Sequence, residues 1–544
     1  MQPALAPELY YLSNFLTALR WISERYDDLL SAAERDFIIS FTALPTASQA
    51  LLARLLLRKG PHFRHSALNY PEIGCCARAA EPLIQHGWLR TDLPLNISEL
   101  CGLLRRAELA TVFSGHFALR GLTKTAMQEE LQIRHDELRP FSDWCPELDD
   151  PLYSLVVGSL CDTLRLIFFG NLRQDWSEFV LAELGILRYE TVPLDPASRG
   201  FACRADIEAH LCLHQAREAF EAGAMITDVL NLISGLEPTS PLLVTRLGKF
   251  RFQLARQLER EGALDAALEL YAQSQYPGAR QRQIRILETS GRPEQALGLV
   301  EQALHAPESD TEEQLVQRAH QRILRQLGKP VPPRAKAQES RIDLVLPNAQ
   351  GMVEWAVRDH LHEDQAPVHF VENALVNSLF GLLCWEAIFA PLPGAFFHPF
   401  HSAPADLYSP DFRARRREHF DACMAQLDSD AYRTTIRRNW HDKQGIQSPF
   451  VFWNLLDEAL LEHALACLPS AHLRIWFERL LLDIRANRCG MPDLIQFWPG
   501  EKRYRMIEVK GPGDRLQDNQ RRWLALCAQH RMPVEVCYVR WAEP

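Results

Sequence analysis

The residues Gly490-Met491-Pro492-Asp493-Leu494, with Met506-Ile507-Glu508-Val509-Lys510-Gly511 a short way downstream, decide how the C-terminal part of this chain folds. Residues 494–498 and 504–509 are apolar and partly β-branched, and Pro499, Gly500 and a charged pair separate them. This predicts two short strands joined by a tight loop. Side chains alternate faces along a strand, so Glu508 and Lys510 share one face while Ile507 and Val509 point into a core. Asp493, at the mouth of the first strand, can join Glu508 and Lys510. Two carboxylates and an ammonium on one rim suit phosphodiester hydrolysis with a divalent cation. Carboxylates are hard oxygen ligands, the ion polarises phosphate and activates water, and the lysine orients that water or offsets developing charge. Each half alone also fits a turn aspartate or a solvated strand-edge pair; their joint occurrence favours the metal site.

Size and composition bound the rest. The chain of 544 residues has room for several domains, and its 47% apolar content is ordinary for globular protein. A net charge of −10 excludes a protein that coats nucleic acid through bulk charge, so any such contact needs local basic patches. Thirteen cysteines without a C-x-x-C pair point to a reducing compartment and no structural zinc. Cys203, His210, Cys212 and His214 fit no common zinc spacing and read as helix residues. The N-terminus has no export-signal pattern, and the most apolar run, 374–391, is too short and too interrupted for a membrane span.

Along the chain, residues 9–22, 48–58 and 75–86 read as helices, followed by a short strand at Gly87-Trp88-Leu89. That order suits a winged-helix-like module contacting duplex, or a small helical bundle. Residues 97–104, 108–113 and 127–133 read as short helices, the last entered through Gly121-Leu122-Thr123-Lys124-Thr125. A capping Thr and a lysine at a helix N-terminus can grip a phosphate, with Lys124, Arg105 and Arg106 as candidate contacts. Residues 145–327 read as nearly all helix. Within them Gly262-Ala263-Leu264-Asp265-Ala266-Ala267-Leu268 is echoed by Gly291-Arg292-Pro293-Glu294-Gln295-Ala296-Leu297, a helix-turn-helix repeat of tetratricopeptide type. Its arginines, such as Arg251, Arg256, Arg260, Arg280, Arg282 and Arg285, suit either a DNA groove or solvated helix faces. Residues 328–340 form the best linker, and 342–346 a strand opening the last domain.

The motif pair resembles the PD-(D/E)xK nuclease superfamily and, more narrowly, the VRR-NUC domain. The resemblance rests on Gly490 to Leu494, on Glu508 to Leu516, and on Gln520, Trp523 and Leu524. With Gly-Leu-Thr-Lys-Thr resembling a SAP motif, the whole chain resembles the Fanconi-associated nuclease family in a form without the ubiquitin-binding zinc finger. The expected architecture is multidomain: a helical winged-helix-like domain (1–93), a SAP-like DNA-binding motif (94–140), a TPR-like helical domain (141–327), a linker (328–340) and an α/β nuclease domain (341–544).

The resemblance implies a structure-specific DNA nuclease, a 5′-flap endonuclease and 5′→3′ exonuclease in interstrand crosslink repair. A Holliday-junction resolvase and an inert DNA-binding scaffold stand as alternatives. Glu372, at the start of an apolar helix over 371–389, is carried over as an extra metal ligand. Glu372, Asp493, Glu508 and the Val509 carbonyl would then hold one or two Mg²⁺ or Mn²⁺ ions beside Lys510, and cleavage would leave a 5′-phosphate and a 3′-hydroxyl. Glu386 reads as structural. Gly511-Pro512-Gly513 would expose N–H groups to a phosphate. Arg485 and Arg515 would line a terminal-phosphate pocket, although Asn519 stands where longer relatives carry lysine. Gln520 would orient water or substrate, and Trp523 would be core. Two clusters, Arg413, Arg415, Arg416, Arg417 and Arg433, Arg437, Arg438, with Tyr432 and Trp440 beside the second, suit phosphate contact and base stacking or a solvated basic face. Partners would be branched or 5′-flap DNA and proteins at the TPR-like region. The location would be cytoplasmic, or nuclear in a eukaryote.

Overall fold

The computed structural model describes residues 7–114, 121–174, 176, 187–238, 240–332, 339–347 and 351–542. It divides into two compact units, residues 1–186 with 200–211, and residues 187–199 with 212–544. Parts of the linker expected at 328–340, and of the helical stretch expected at 145–327, lie outside the described residues.

In the first unit, helices Tyr10–Tyr26, Ala32–Ala43, Thr46–Leu56 and Cys76–Gln85 surround a sheet of β1 (His62–Arg64), β2 (Leu89–Arg90) and β5 (Leu152–Leu155), ordered β1-β5-β2 and antiparallel. Ser31 and Glu34 form a capping box that starts the second helix. Between β2 and β5 a smaller module is inserted. Its ends pair as β3 (Pro94–Leu95) and β4 (Arg139–Pro140). Helices Ile97–Leu103, Arg106–Val112 and Lys124–Arg134 pack there around Leu100, Leu109, Met127 and Leu131. Thr123 caps the last of these through a hydrogen bond from the Ala126 amide, so Lys124 opens that helix as expected. β5 corrects the reading of 145–327 as nearly all helix: the central strand of the first sheet arrives only after the inserted module, and a four-residue strand carries too short a pattern to register.

In the second unit, helices Pro241–Arg260, Leu264–Ala272, Ala279–Thr289, Pro293–His305 and Asp310–Gln326 pack as successive antiparallel neighbours. Gly262 (φ +82) and Gly291 (φ +74) make the left-handed turns that the sequence echo marks. Arg280 pairs with Glu312 and Arg282 with Glu259, so these two arginines tie helices, while Arg285 pairs with Glu288 on its own helix. His210, Cys212 and His214 lie on the helix Arg204–Glu221, with Cys203 just before it.

The C-terminal sheet runs β6 (Arg341–Leu346), β10 (Val534–Trp541), β9 (Arg503–Lys510), β8 (Leu494–Trp498), β7 (Val368–Phe370). β6, β10 and β9 are parallel, and β8 and β7 join antiparallel. Leu494, Ile507 and Val509 form one core with Val357 of the helix Val353–Leu361. Ile495, Phe497, Tyr504 and Met506 face a larger core holding Trp523 and the helices inserted between β7 and β8. The apolar helix expected over 371–389 is two helices, Leu375–Leu383 and Trp385–Ile388, broken at Cys384.

The basic clusters are partly structural. Arg416 is fully buried, bidentate to the buried Asp406, which Arg415 also contacts. Arg437 pairs with Glu462 and Arg433 with Asp430. Tyr432 is buried, and Trp440 packs against the core with its indole N–H donating to the Leu456 carbonyl, so neither offers a face for stacking on a base. Arg417 and Arg438 remain exposed, the latter with Glu386 at a polar cavity of about 640 Å³. Among the described residues no helix is long and apolar enough to cross a membrane.

Truncating the acid of the buried pair tests this assignment. Asp406→Ala should destabilise the protein by about 3–5 kcal/mol, because Arg416 is left buried without a counter-charge. Chemical denaturation checks it, with Arg438→Ala expected to unfold as the wild type does.

Candidate active site

β8 and β9 pair with Leu494 opposite Ile507, so one step further in register sets Asp493 opposite Glu508. The two are also tied through the backbone, since Asp493 Oδ2 accepts the Val509 amide at 2.8 Å. Lys510, two residues beyond Glu508 and hence on the same face, donates to Glu508 Oε1 at 2.6 Å. All three are buried: Glu508 is 0% exposed, Asp493 and Lys510 7% each. Ile507 and Val509 point into the opposite core, as the alternation predicts.

Glu372 reaches this rim by a route the sequence did not show. It is not in the first turn of a helix but in the turn between β7 and the helix Leu375–Leu383. Three contacts hold that turn against the segment leading into Asp493. The Val371 amide donates to the Asp493 carbonyl at 2.8 Å, the Met491 amide donates to Asn373 Oδ1 at 3.1 Å, and the Asn377 side-chain amide donates to the Arg488 carbonyl at 2.8 Å. Asn373 adopts φ 54, a left-handed conformation that Asn tolerates better than most residues. The nearby Glu-Asn pair is the sequence signal for this turn.

The electrostatics follow from crowding acids in a dry place. Burial, then the neighbouring Asp493 charge, pushes Glu508 up to about 8. Burial pushes Asp493 up to about 6, against the Val509 amide and Lys510, with Glu354 and Glu372 adding to the rise. Glu508 Oε2 is buried with no hydrogen-bond partner. Such an orphaned oxygen is costly unless something cationic or protic completes it. The donor set, carboxylates only with no sulfur or imidazole, is that of a hard divalent cation. Among the described residues no three His, Cys, Asp or Glu side chains stand already arranged to hold a metal ion, so Glu372 would have to turn inward on binding.

The other candidates lie around this rim or away from it. Arg485 is exposed, donates to the Tyr276 hydroxyl at 2.7 Å and sits over the rings of Tyr276 and Tyr408. Arg515 is exposed in the loop after β9. Gln520 Oε1 accepts the Gln517 amide and caps the helix Asp518–Gln529. The Gly511 amide is taken by Asp514 Oδ2 at 3.0 Å, so that amide is not free for a phosphate. Glu386 is exposed at the polar cavity. Trp523 is core. Lys124 belongs to the first compact unit. Glu354, which the sequence did not single out, sits in the first turn of the helix Val353–Leu361.

Comparisons with known proteins agree with this architecture. A VRR-NUC domain model matches residues 427–541, a FAN1 HTH domain model residues 9–90, and a Fanconi anemia-associated nuclease SAP domain model residues 94–144. The Fanconi-associated nuclease 1 homologue of Pseudomonas aeruginosa is 53% identical over 542 residues, which cover 99% of this chain and 97% of that protein. The Arabidopsis thaliana homologue is 25% identical over 97% of this chain and 67% of its own length. Human Fanconi-associated nuclease 1 is 32% identical over 31% of this chain and 17% of its own length. The crystal structure of paFAN1 bound to 5′-flap DNA carrying a 2-nucleotide flap and a gap superposes with a TM-score of 0.91, at 52% identity and full coverage of both chains. A second, with a 1-nucleotide flap, gives 0.90. Similarity of this depth from end to end, with the three domain models falling in the order of the folded modules, makes the chain a member of the Fanconi-associated nuclease family with a VRR-NUC nuclease domain.

Proposed function

We propose that this nuclease hydrolyses phosphodiesters at 5′ flaps in DNA with Mg²⁺ or Mn²⁺ bound at the rim formed by Asp493, Glu508 and Lys510. It does so as a 5′-flap endonuclease and 5′→3′ exonuclease in interstrand crosslink repair, on DNA in the cytoplasm or, in a eukaryote, the nucleus. One observation carries the chemistry: a fully buried Glu508 whose two oxygens divide between Lys510 and no partner at all, opposite a second buried acid. The flap-bound relatives support the substrate.

Asp493, Glu508, Glu372 and the Val509 carbonyl would hold the cation. When bound, it supplies Lewis-acid polarisation of the phosphate and compensation for charge on the leaving oxygen. The residues do the rest. The Val509 amide fixes Asp493 in one rotamer, which reduces the reorganisation needed on loading. Lys510 is held by Glu508 with its remaining N–H groups free to orient the attacking water or meet developing negative charge. Burial strengthens each of these interactions. Exposed Arg515, with Arg417 and Arg438, would contact phosphates, and Arg485, steadied by two tyrosines, would read a terminal phosphate. Lys124 would contribute from the inserted SAP module. The helical hairpins, read as TPR-like, would serve protein partners.

End-labelled 5′-flap DNA should be cut in the presence of Mn²⁺ and left intact without it, giving a 5′-phosphate and a 3′-hydroxyl. Asp493→Ala should lower the rate at least about a hundredfold, since it removes a ligand rather than a ligand's support. Undiminished cation-dependent cleavage by that variant would remove the site from consideration.

The raised carboxyl values set a pH dependence. Folded Asp493 (about 6, from 3.8) and Glu508 (about 8, from 4.5) bind protons where the unfolded chain has lost them. The metal-free protein therefore loses stability as pH rises from about 4 through 8, and a cation competes better with protons over the upper part of that window. The rise in melting temperature produced by Mn²⁺ should grow between pH 6 and pH 8, and Glu508→Gln should flatten that growth.

A further inference from the structure

We propose that Asn373 and Asn377 are positioning residues for the cation: their side-chain amides carry the β7–β8 pairing past the strand ends and fix the turn that bears Glu372 against the approach to Asp493. The proposal rests on the cation reading of the rim given above. β7 and β8 pair with Phe370 opposite Leu494, a register that extrapolates to Val371 opposite Asp493, Glu372 opposite Pro492 and Asn373 opposite Met491. Hydrogen-bonded pairs alternate along an antiparallel ladder. The Phe497 amide donates to the Pro367 carbonyl and the Val371 amide to the Asp493 carbonyl, so the next bonded pair falls at Asn373 and Met491. The left-handed φ of 54 at Asn373 takes its main chain out of the extended conformation that such a bond needs. Its side chain supplies the missing acceptor, with Oδ1 taking the Met491 amide at 3.1 Å. That fixes the amide the other way round at its far end, where Nδ2 faces Glu372 Oε1 at 3.5 Å.

Asn377 completes the bridge. Its Nδ2 donates to the Asn373 carbonyl at 2.5 Å and to the Arg488 carbonyl at 2.8 Å. The Arg488 guanidinium donates to the Tyr408 hydroxyl at 2.6 Å and to the Pro449 carbonyl at 2.7 Å, which anchors that end. Asn377 is fully buried, in a helix whose Leu375, Val376, Leu379 and Phe380 belong to the core, and its Oδ1 has no partner. Both neighbours of its amide nitrogen are carbonyls, so turning the amide over would set oxygen against oxygen and would not relieve that acceptor. An unsatisfied acceptor in a core lowers stability. What the amide supplies in its place is a link between the two segments that bear Glu372 and Asp493. The bridge holds the backbone of the turn and leaves the exposed Glu372 carboxylate able to turn onto the ion.

Calorimetric titration of the full-length, metal-free protein with Mn²⁺ tests the bridge. Asn373→Gly keeps the left-handed backbone and removes the side-chain acceptor. Its melting temperature should stay close to that of the wild type while its Mn²⁺ affinity falls at least about tenfold, as when the support behind a metal ligand is lost. Asn377→Leu keeps the buried bulk, removes the donor and should show the same loss of affinity. Cleavage of 5′-flap DNA by both variants should return as Mn²⁺ is raised, because the ligands themselves are intact; cleavage that stays lost at saturating Mn²⁺ overturns the proposal. A purely structural role would lower the melting temperature and leave the affinity of the folded protein alone. Titration is therefore done well below the melting point of each variant, and unchanged affinity in either also overturns the proposal. Asp493→Asn separates the bridge from the reading of the site. If Asp493→Asn binds Mn²⁺ as the wild type does, the rim is misassigned and the bridge falls with it. If it loses the ion while Asn373→Gly titrates normally, only the bridge falls.

Discussion

The pairing of Leu494 with Ile507 is the constraint from which the nuclease end of this protein follows. It puts an aspartate outside one strand across from a glutamate inside the next, and the Val509 amide locks the arrangement by bonding the aspartate. A slip of one residue would turn Glu508 and Lys510 into the aliphatic core and Ile507 and Val509 out of it. Such a slip is opposed on both faces, because each face of the hairpin belongs to a different apolar cluster. The geometry of the acids is thus maintained by hydrophobic side chains that never touch them.

Concentrating negative charge at such a place has a cost that the fold meets only in part. Lys510 satisfies one oxygen of Glu508, and the amide of Val509 satisfies one of Asp493. Burial, with the remaining repulsion behind it, shows as carboxyls that hold their protons to unusually high pH. Elsewhere the protein treats buried charge differently. Arg416 is paired with Asp406, as Arg280 is with Glu312 between helices. The contrast separates charges that build the structure from charges left short of a partner.

The hairpin and its triad were legible because the information is local: period-two alternation, a Pro-Gly loop, and three residues close in sequence. Trp523 as core and Thr123 as a helix cap were legible for the same reason. What escaped was long-range. β5 completes a sheet whose other strands precede the inserted module. Glu372 was carried to the rim by resemblance alone; the helix start expected around it is a turn, held by a left-handed Asn373 and three contacts to the facing segment. Tyr432 and the arginines at 415 and 416 were misread because residue type reports what a side chain can do and not what already occupies it.

Gly490 illustrates how tightly the loop is wedged. Its φ is +91, and a methyl group there would lie 2.8 Å from Asn519 Cβ, Cγ and Nδ2. Asn519 in turn belongs to the first turn of the helix Asp518–Gln529, which Arg318 grips through Asp518 with two hydrogen bonds of 2.6 Å. Positions 490 and 519 are therefore one unit of inheritance: neither can gain bulk unless the other yields, and a change at either is felt by a helix of the preceding repeat array.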